Sequence, residues 1–218
     1  MDKTEMRNFK ELVEKEVTED ILDYWFKTID IENGGFYGLV TNGNTIIKDS
    51  PKGLVLNARI LWTYSIAYRI FKSPKYLEMA DHAYSFLVNS FYDKDYKGFY
   101  WILDYKGQVV NDKKQIYGIA FAIYGLSEYY RVTQKKEAID LAIETFEMIE
   151  KYAFDSEKSG YLEALARDWS QTTEMQLLPN DVPSVKTMNT HLHLLEAYTN
   201  LYRTYKFVDL SKKLSYYK

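Results

Sequence analysis

The sequence predicts an all-α fold built from repeated helical hairpins that carry short β-hairpin arms. Three observations predict it. A Gly-aromatic segment recurs as Gly34-Gly35-Phe36-Tyr37-Gly38, Lys97-Gly98-Phe99-Tyr100-Trp101 and Ser159-Gly160-Tyr161-Leu162-Glu163, with Gly35, Gly98 and Gly160 spaced by 63 and 62 residues. A strongly apolar helix pattern follows each recurrence. A second, amphipathic helix pattern closely follows the first two. Self-similarity at a fixed period marks a repeat architecture, and this unit is too long for a ~34-residue tetratricopeptide hairpin. Helices apolar all round are buried all round, so the first set should be inner helices and the second outer ones. Hairpins of this kind suggest an (α/α)6 toroid, of which this chain supplies about half.

The elements follow in order. An opening helix is predicted over 6–26. The acidic stretches 30–33, 93–95 and 155–157 are turns, because Asp and Asn bond their own backbone and Gly tolerates positive φ. Hairpin turns are predicted at 42–44 and 104–107. Inner helices are read at 54–71, 115–132 and 186–205, ending alike in Tyr68-Arg69, Tyr130-Arg131 and Tyr202-Arg203. The outer helices are 74–91, with Ser73 as N-cap and Pro74 at N1, and 135–153. A third should start near Val208 and run to Lys218. The reading is one domain over 1–218, with no internal boundary. Stopping inside a repeat leaves an apolar face uncovered. The expectation is therefore a truncated ring, its missing C-terminal half or self-association covering the edge; an open half-ring with a short cap is the alternative.

Composition narrows the function. Twenty-eight basic against 31 acidic residues give a net charge of −3, which argues against nucleic acid as partner. There is no Cys, so thiolate chemistry and Cys-ligated metal are excluded. The charged start has no signal-peptide core, and no apolar run reaches the ~20 residues of a membrane helix, so a cytoplasmic location is expected. Phosphate-loop, dinucleotide and serine-nucleophile motifs are absent; no cofactor is expected. The chain holds 21 Tyr, a residue that suits both helical cores and clefts.

The repeat register picks out a site. Nine residues before each terminal Tyr lie Arg59, Phe121 and His193; thirteen before lie Val55, Tyr117 and Asn189. The two layers are one helical turn apart and share a face. Arg59, Tyr117, Asn189 and His193 are thus expected to converge in an apolar setting, the pattern of a small-molecule pocket. His191 and His193 are two apart on a helix and point to different sides, so no metal site is expected. His82 reads as surface or packing. Glu163, Asp168 and Glu196 are the carboxylates near the register. Trp101 and Trp169, in the arms, stack on a sugar or pin the arms down, the second being the plainer reading.

The segments Leu56-Asn57-Ala58-Arg59-Ile60-Leu61-Trp62, 120–129 and 186–202, together with the first Gly-aromatic segment, resemble the N-acylglucosamine 2-epimerase family, most closely its cellobiose 2-epimerase branch. The resemblance runs from about Phe9 to Lys206. It implies an (α/α)6 barrel whose N-terminal half is this chain. It implies inversion at C2 of an aldose, or of the reducing-end sugar of a β-1,4-disaccharide, through a cis-enediolate. By resemblance, Arg59 binds the C1 and C2 oxygens and stabilises the enediolate. His193, Tyr117 and Asn189 bind the sugar around it, with His193 helping ring opening. The family's acid/base histidine pair belongs to the C-terminal half and has no counterpart here, so little activity is expected from the chain alone. An aldose–ketose isomerase of the same fold, and a non-catalytic sugar- or protein-binding helical repeat, are the other two readings.

Overall fold

The computed structural model describes residues 2–177, 184–207 and 210. The chain opens with a long helix. Its first part, α1 (Lys3–Lys15), passes through a π-helical stretch (Glu16–Ile21) into α2 (Leu22–Phe26). Asp2 caps it, accepting from the Thr4 and Glu5 amides, while the Glu5 carboxylate returns the bond to the Asp2 amide. This reciprocal box satisfies orphan amide groups and starts the helix three residues earlier than the sequence periodicity indicates. The inner helices are α3 (Leu54–Phe71), α5 (Ile116–Thr133) and α7 (Met188–Thr204). They pack side by side in chain order, α3 on α5 and α5 on α7. The outer helices α4 (Pro74–Phe86), which ends in a π-helical turn (Leu87–Phe91), and α6 (Lys136–Tyr152) lie behind α3 and α5.

Two corrections concern boundaries and caps. Ser73 makes no side-chain cap bond; Pro74 with its preset φ opens α4 instead. The third inner helix starts at Met188, two residues later than expected, where the Thr187 hydroxyl caps it by accepting from the Thr190 amide. The helix expected from Val208 falls outside the described residues, apart from Leu210, which is buried in the core.

The arms tie the hairpins together. Strands β1 (Leu39–Val40) and β2 (Ile46–Ile47) pair antiparallel across the predicted 42–44 turn. Strand β3 (Lys52–Gly53), just before α3, pairs with β4 (Ile102–Leu103) of the second arm, and β4 with β5 (Val109–Asn111) across the predicted 104–107 turn. Strand β6 (Lys114–Gln115), before α5, pairs with β7 (Ala164–Leu165) of the third arm. The second and third arms thus continue the strands that lead into α3 and α5, which fixes where those helices begin.

An Asp–Lys ion pair holds the root of every arm, wholly buried in the first two and about a quarter exposed in the third. Lys52 Nζ lies 2.7 Å from Asp30, Lys114 Nζ 2.9 Å from Asp93, and Lys186 Nζ 2.7 Å from Asp155. Each Asp also caps its own turn by accepting amide bonds two and three residues on. Each turn then passes through two consecutive residues of positive φ, Gly34-Gly35, Lys97-Gly98 and Ser159-Gly160. The second is always Gly, because a Cβ there would lie 2.3 Å from Phe86, 2.6 Å from Trp169 or 2.7 Å from His191. Burial alone would raise the Asp30 and Asp93 carboxyls, but the bonds from Lys52, and from Arg167 and Lys114, outweigh it and hold both below the usual carboxylate range. The lysines went unnoticed in the sequence, yet each sits two residues before its inner helix, a register signal as regular as the glycines.

Candidate functional site

One stripe of each inner helix faces the concave side, and together the stripes make layers. The first layer is Val55, Tyr117 and Asn189; the second is Arg59, Phe121 and His193; the third is Trp62, Tyr124 and Glu196. Below these, one turn and two turns further, come Ile66, Glu128 and Asn200, then Arg69, Arg131 and Arg203.

The second layer is a real cluster. The Phe121 ring is the platform: the Arg59 guanidinium lies over it at 5.6 Å, and the His193 ring packs on it with centroids 4.5 Å apart. Tyr117 meets His193 edge to face at 5.0 Å, from one turn above. Arg59 is exposed, Tyr117 and His193 are half-buried, and Phe121 is buried. A guanidinium over an aromatic face keeps its edge N–H donors free for a ligand. Three of the four residues that the register predicts are therefore brought together, and Phe121, the apolar member, is what joins them.

Asn189 is placed apart. It is exposed, and it lines a cavity of about 290 Å³ under the third arm with Glu163, Met175, Gln176, Leu177, Ser184 and Thr187. Glu163 forms the floor of that cavity. It accepts from the Thr187 and Thr190 hydroxyls at 2.8 and 2.7 Å and is almost wholly buried. Lys113 closes the cavity's rim through the Gln176 carbonyl at 2.6 Å, and burial lowers its amine.

Glu196 answers which carboxylate serves His193. Its Oε2 lies 2.8 Å from His193 Nδ1. That contact favours the tautomer with the proton on Nδ1 and leaves Nε2 as the free nitrogen. Glu163 is committed to α7's first turn, and Asp168 caps its own turn through Ser170. His191 is structural: Nδ1 lies 2.6 Å from the Thr187 carbonyl and Nε2 accepts the Tyr161 amide at 3.0 Å, so both nitrogens are used. His82 likewise anchors the Gly35 carbonyl at 2.8 Å. Trp169 pins the third arm to the second, donating to the Tyr96 carbonyl at 2.8 Å, and Trp101 packs where a Cβ on Gly118 would stand.

The lower layers carry charge that the sequence reading passed over. Glu128, 1% exposed, receives Arg69 Nε at 2.8 Å from the neighbouring helix and has Arg131 at 3.6 Å on its own. Above it, Trp62 stacks on Tyr124 at 4.8 Å. A cavity of about 270 Å³ opens beside these groups. The equivalent positions on α3 and α7 are Ile66 and Asn200, so no charge repeats there to draw attention to Glu128.

The comparisons with known proteins agree with this architecture. A family model described as N-acylglucosamine 2-epimerase (GlcNAc 2-epimerase) matches residues 34–208. A curated relative from Bacteroides fragilis, named cellobiose 2-epimerase, is 49% identical over 94% of this chain and 53% of its own length. A protein of the same name from Ruminococcus albus is 44% identical over 88% of this chain and 49% of its own. The solved structure of a cellobiose 2-epimerase from Bacillus thermoamylovorans superposes with a TM-score of 0.91 at 44% identity, covering 96% of this chain and 54% of that one. The chain spans about half the length of the curated relatives it matches. The fold is that of the (α/α)6 barrels, of which these helices form about half. Among the described residues, no helix is long and apolar enough to cross a membrane. The chain belongs to the N-acylglucosamine 2-epimerase family.

Proposed function

We propose that this chain is the sugar-binding half of a carbohydrate 2-epimerase acting on an aldose or on the reducing end of a β-1,4-disaccharide. The observation that carries the reading is the second layer, where Arg59 and His193 share the Phe121 ring beneath Tyr117. Inverting C2 requires removal of a proton α to a carbonyl, which builds negative charge on the C1 and C2 oxygens. A guanidinium held over an aromatic ring supplies preorganised donors for that charge. His193, with Nδ1 turned to Glu196, offers Nε2 to a ring or hydroxyl oxygen and assists ring opening. Tyr117 borders the same sugar, while Asn189 lines the separate third-arm cavity.

Proton transfer itself needs a base on each face of C2. His193 is the only imidazole in the concave layers, since His191 and His82 are spent on backbone groups. Loss of such an acid–base partner costs about 10²–10⁴-fold, so the chain binds sugar and turns it over poorly. The isomerase reading shares the same oxygen contacts and differs only in returning the proton to C1.

Saturation-transfer NMR with cellobiose, mannose and N-acetylmannosamine tests the binding claim. Transfer to the sugar in the native chain, and its loss in Arg59→Ala, supports the reading. Equal transfer in both removes Arg59 from the site.

A further inference from the structure

Tyr117, Phe121 and His193 pack as one aromatic group. The Tyr117 ring meets Phe121 edge to face at 5.3 Å and His193 at 5.0 Å, and His193 lies on Phe121 at 4.5 Å. Tyr117 and His193 are half-buried, so each keeps part of its surface open. Among the described residues, neither the Tyr117 hydroxyl nor His193 Nε2 has a hydrogen-bond partner. A tyrosine hydroxyl away from water normally finds one. Tyr64 gives its proton to the Leu22 carbonyl, Tyr129 to Asp81, and Tyr161 and Tyr198 to Glu150. Tyr117 is therefore held by its ring alone, with its polar tip unspent.

The two unspent groups are opposite in kind. The Glu196 carboxylate, 2.8 Å from His193 Nδ1, holds the imidazole proton there, so Nε2 is an acceptor. The phenol is a donor. Opening the ring of a reducing sugar needs that combination: a base takes the proton of O1 while an acid gives one to O5. Both oxygens sit on C1, so both groups can act from a single wall. Epimerisation needs bases on opposite faces of C2; exchange between the two anomers does not.

We propose that this chain is an aldose mutarotase, interconverting the α and β anomers of the sugar it binds, with His193 as base, Tyr117 as acid and Glu196 as the positioning residue behind His193. The inference rests on the sugar-binding reading above. In the opening step the O1–H proton goes to Nε2 and its electron pair forms the C1=O1 double bond. The C1–O5 pair moves to O5, which takes the Tyr117 proton. Glu196 stabilises the imidazolium that results, and the Arg59 guanidinium, over the same Phe121 ring, offsets the phenolate. Rotation about C1–C2 turns the other face of the carbonyl to O5. The reverse transfers then close the second anomer and restore both side chains. C2 keeps its proton throughout, and no co-reactant is consumed.

Polarimetry on a freshly dissolved single anomer of mannose or of cellobiose reads the reaction directly. The native chain should speed mutarotation on the order of 10²-fold over an equal concentration of free imidazole, and the rate should saturate with sugar. Tyr117→Phe keeps the ring packing and removes only the hydroxyl; it should lower kcat on the order of 10²-fold and leave KM nearly unchanged. His193→Ala should bring the rate to that of solution. Glu196→Gln should lower kcat while saturation transfer to the sugar persists. In the same variant the ¹⁵N shifts of His193 should move from the Nδ1-protonated tautomer toward the Nε2-protonated one, a change that a packing role for Glu196 would not cause. The chain has three histidines, so the spectrum is readily assigned. Mutarotation no faster than with free imidazole, in a chain that still shows saturation transfer, overturns the proposal and leaves the sugar-binding reading standing. Full activity in Tyr117→Phe overturns it as well. A chain with no saturation transfer to any of the sugars removes the binding reading and the proposal with it.

Discussion

The arm roots and the concave layers are built from the same three repeats, yet they treat repetition in opposite ways. At the roots, each repeat keeps the same Asp–Lys pair, the same positive-φ corner and a ring against the same Gly. On the concave side, the equivalent positions are Val55, Tyr117 and Asn189, then Arg59, Phe121 and His193, with no two alike. What every hairpin needs in order to start its inner helix is repeated. What a single asymmetric ligand needs is not. Substitutions at the roots should therefore damage the fold, and substitutions on the concave wall should damage binding and leave the fold alone.

The largest expected effect is at the first root. Lys52→Met leaves the buried Asp30 without its ion-pair partner, and breaking a buried pair by removing one partner costs ~3–5 kcal/mol. Urea unfolding should show that loss for Lys52→Met and a smaller one for Lys114→Met, because Arg167 still holds Asp93. Lys186→Met should cost less, because that pair is about a quarter exposed. Equal costs at all three would break the link between burial and effect.

Acid should reach the same groups together. The carboxyls of Asp30 and Asp93 lie below their ordinary value of 3.8 in the folded chain, and bonds from Lys186 and the Lys158 amide bring Asp155 down to about 2. A depressed folded pKa stabilises above the unfolded value and loses that contribution as pH falls through the folded one. The urea midpoint should hold from neutral pH down to about pH 5, then fall steeply between 3.8 and about 2. In Lys114→Met that fall should be shallower. A native midpoint that is flat down to pH 2 would contradict the assignment.

On the wall the expected pattern reverses. Arg59 is exposed, so Arg59→Ala should move stability by no more than ~0.5 kcal/mol. The same change removes a charged donor, worth ~1.5–3 kcal/mol to a bound ligand, so sugar affinity read by calorimetry should fall about 10- to 100-fold. A large stability loss with unchanged affinity would make Arg59 a structural residue. The smallest effect belongs to Ser73→Ala, which removes a hydroxyl that caps nothing and should shift the midpoint negligibly.

This contrast also explains how far the sequence could be read. The hairpins were legible because Gly35, Gly98 and Gly160 occupy a corner no other residue fits, and the inner helices because they are apolar all round. The convergence of Arg59, Tyr117 and His193 followed from register alone. Phe121 looked like the apolar gap in that layer, and it is the ring that the other residues share. Asn189 followed the same register but faces the third-arm cavity, because that arm is longer than the others and adds a wall the repeat does not predict. The Asp–Lys pairs and Glu128 were hidden for a common reason: a charged residue reads as exposed until a partner distant in sequence is seen to bury it.

The most direct test of the central claim is deuterium exchange at C2. The chain is incubated with cellobiose in D2O, and the C1 and C2 protons are followed by NMR. The account predicts saturation transfer that depends on Arg59 but no enzyme-dependent loss of the C2 proton, because one imidazole on one wall cannot serve both faces. C2 exchange that disappears in Arg59→Ala and His193→Ala would contradict it and show that a complete proton-transfer site exists within these residues.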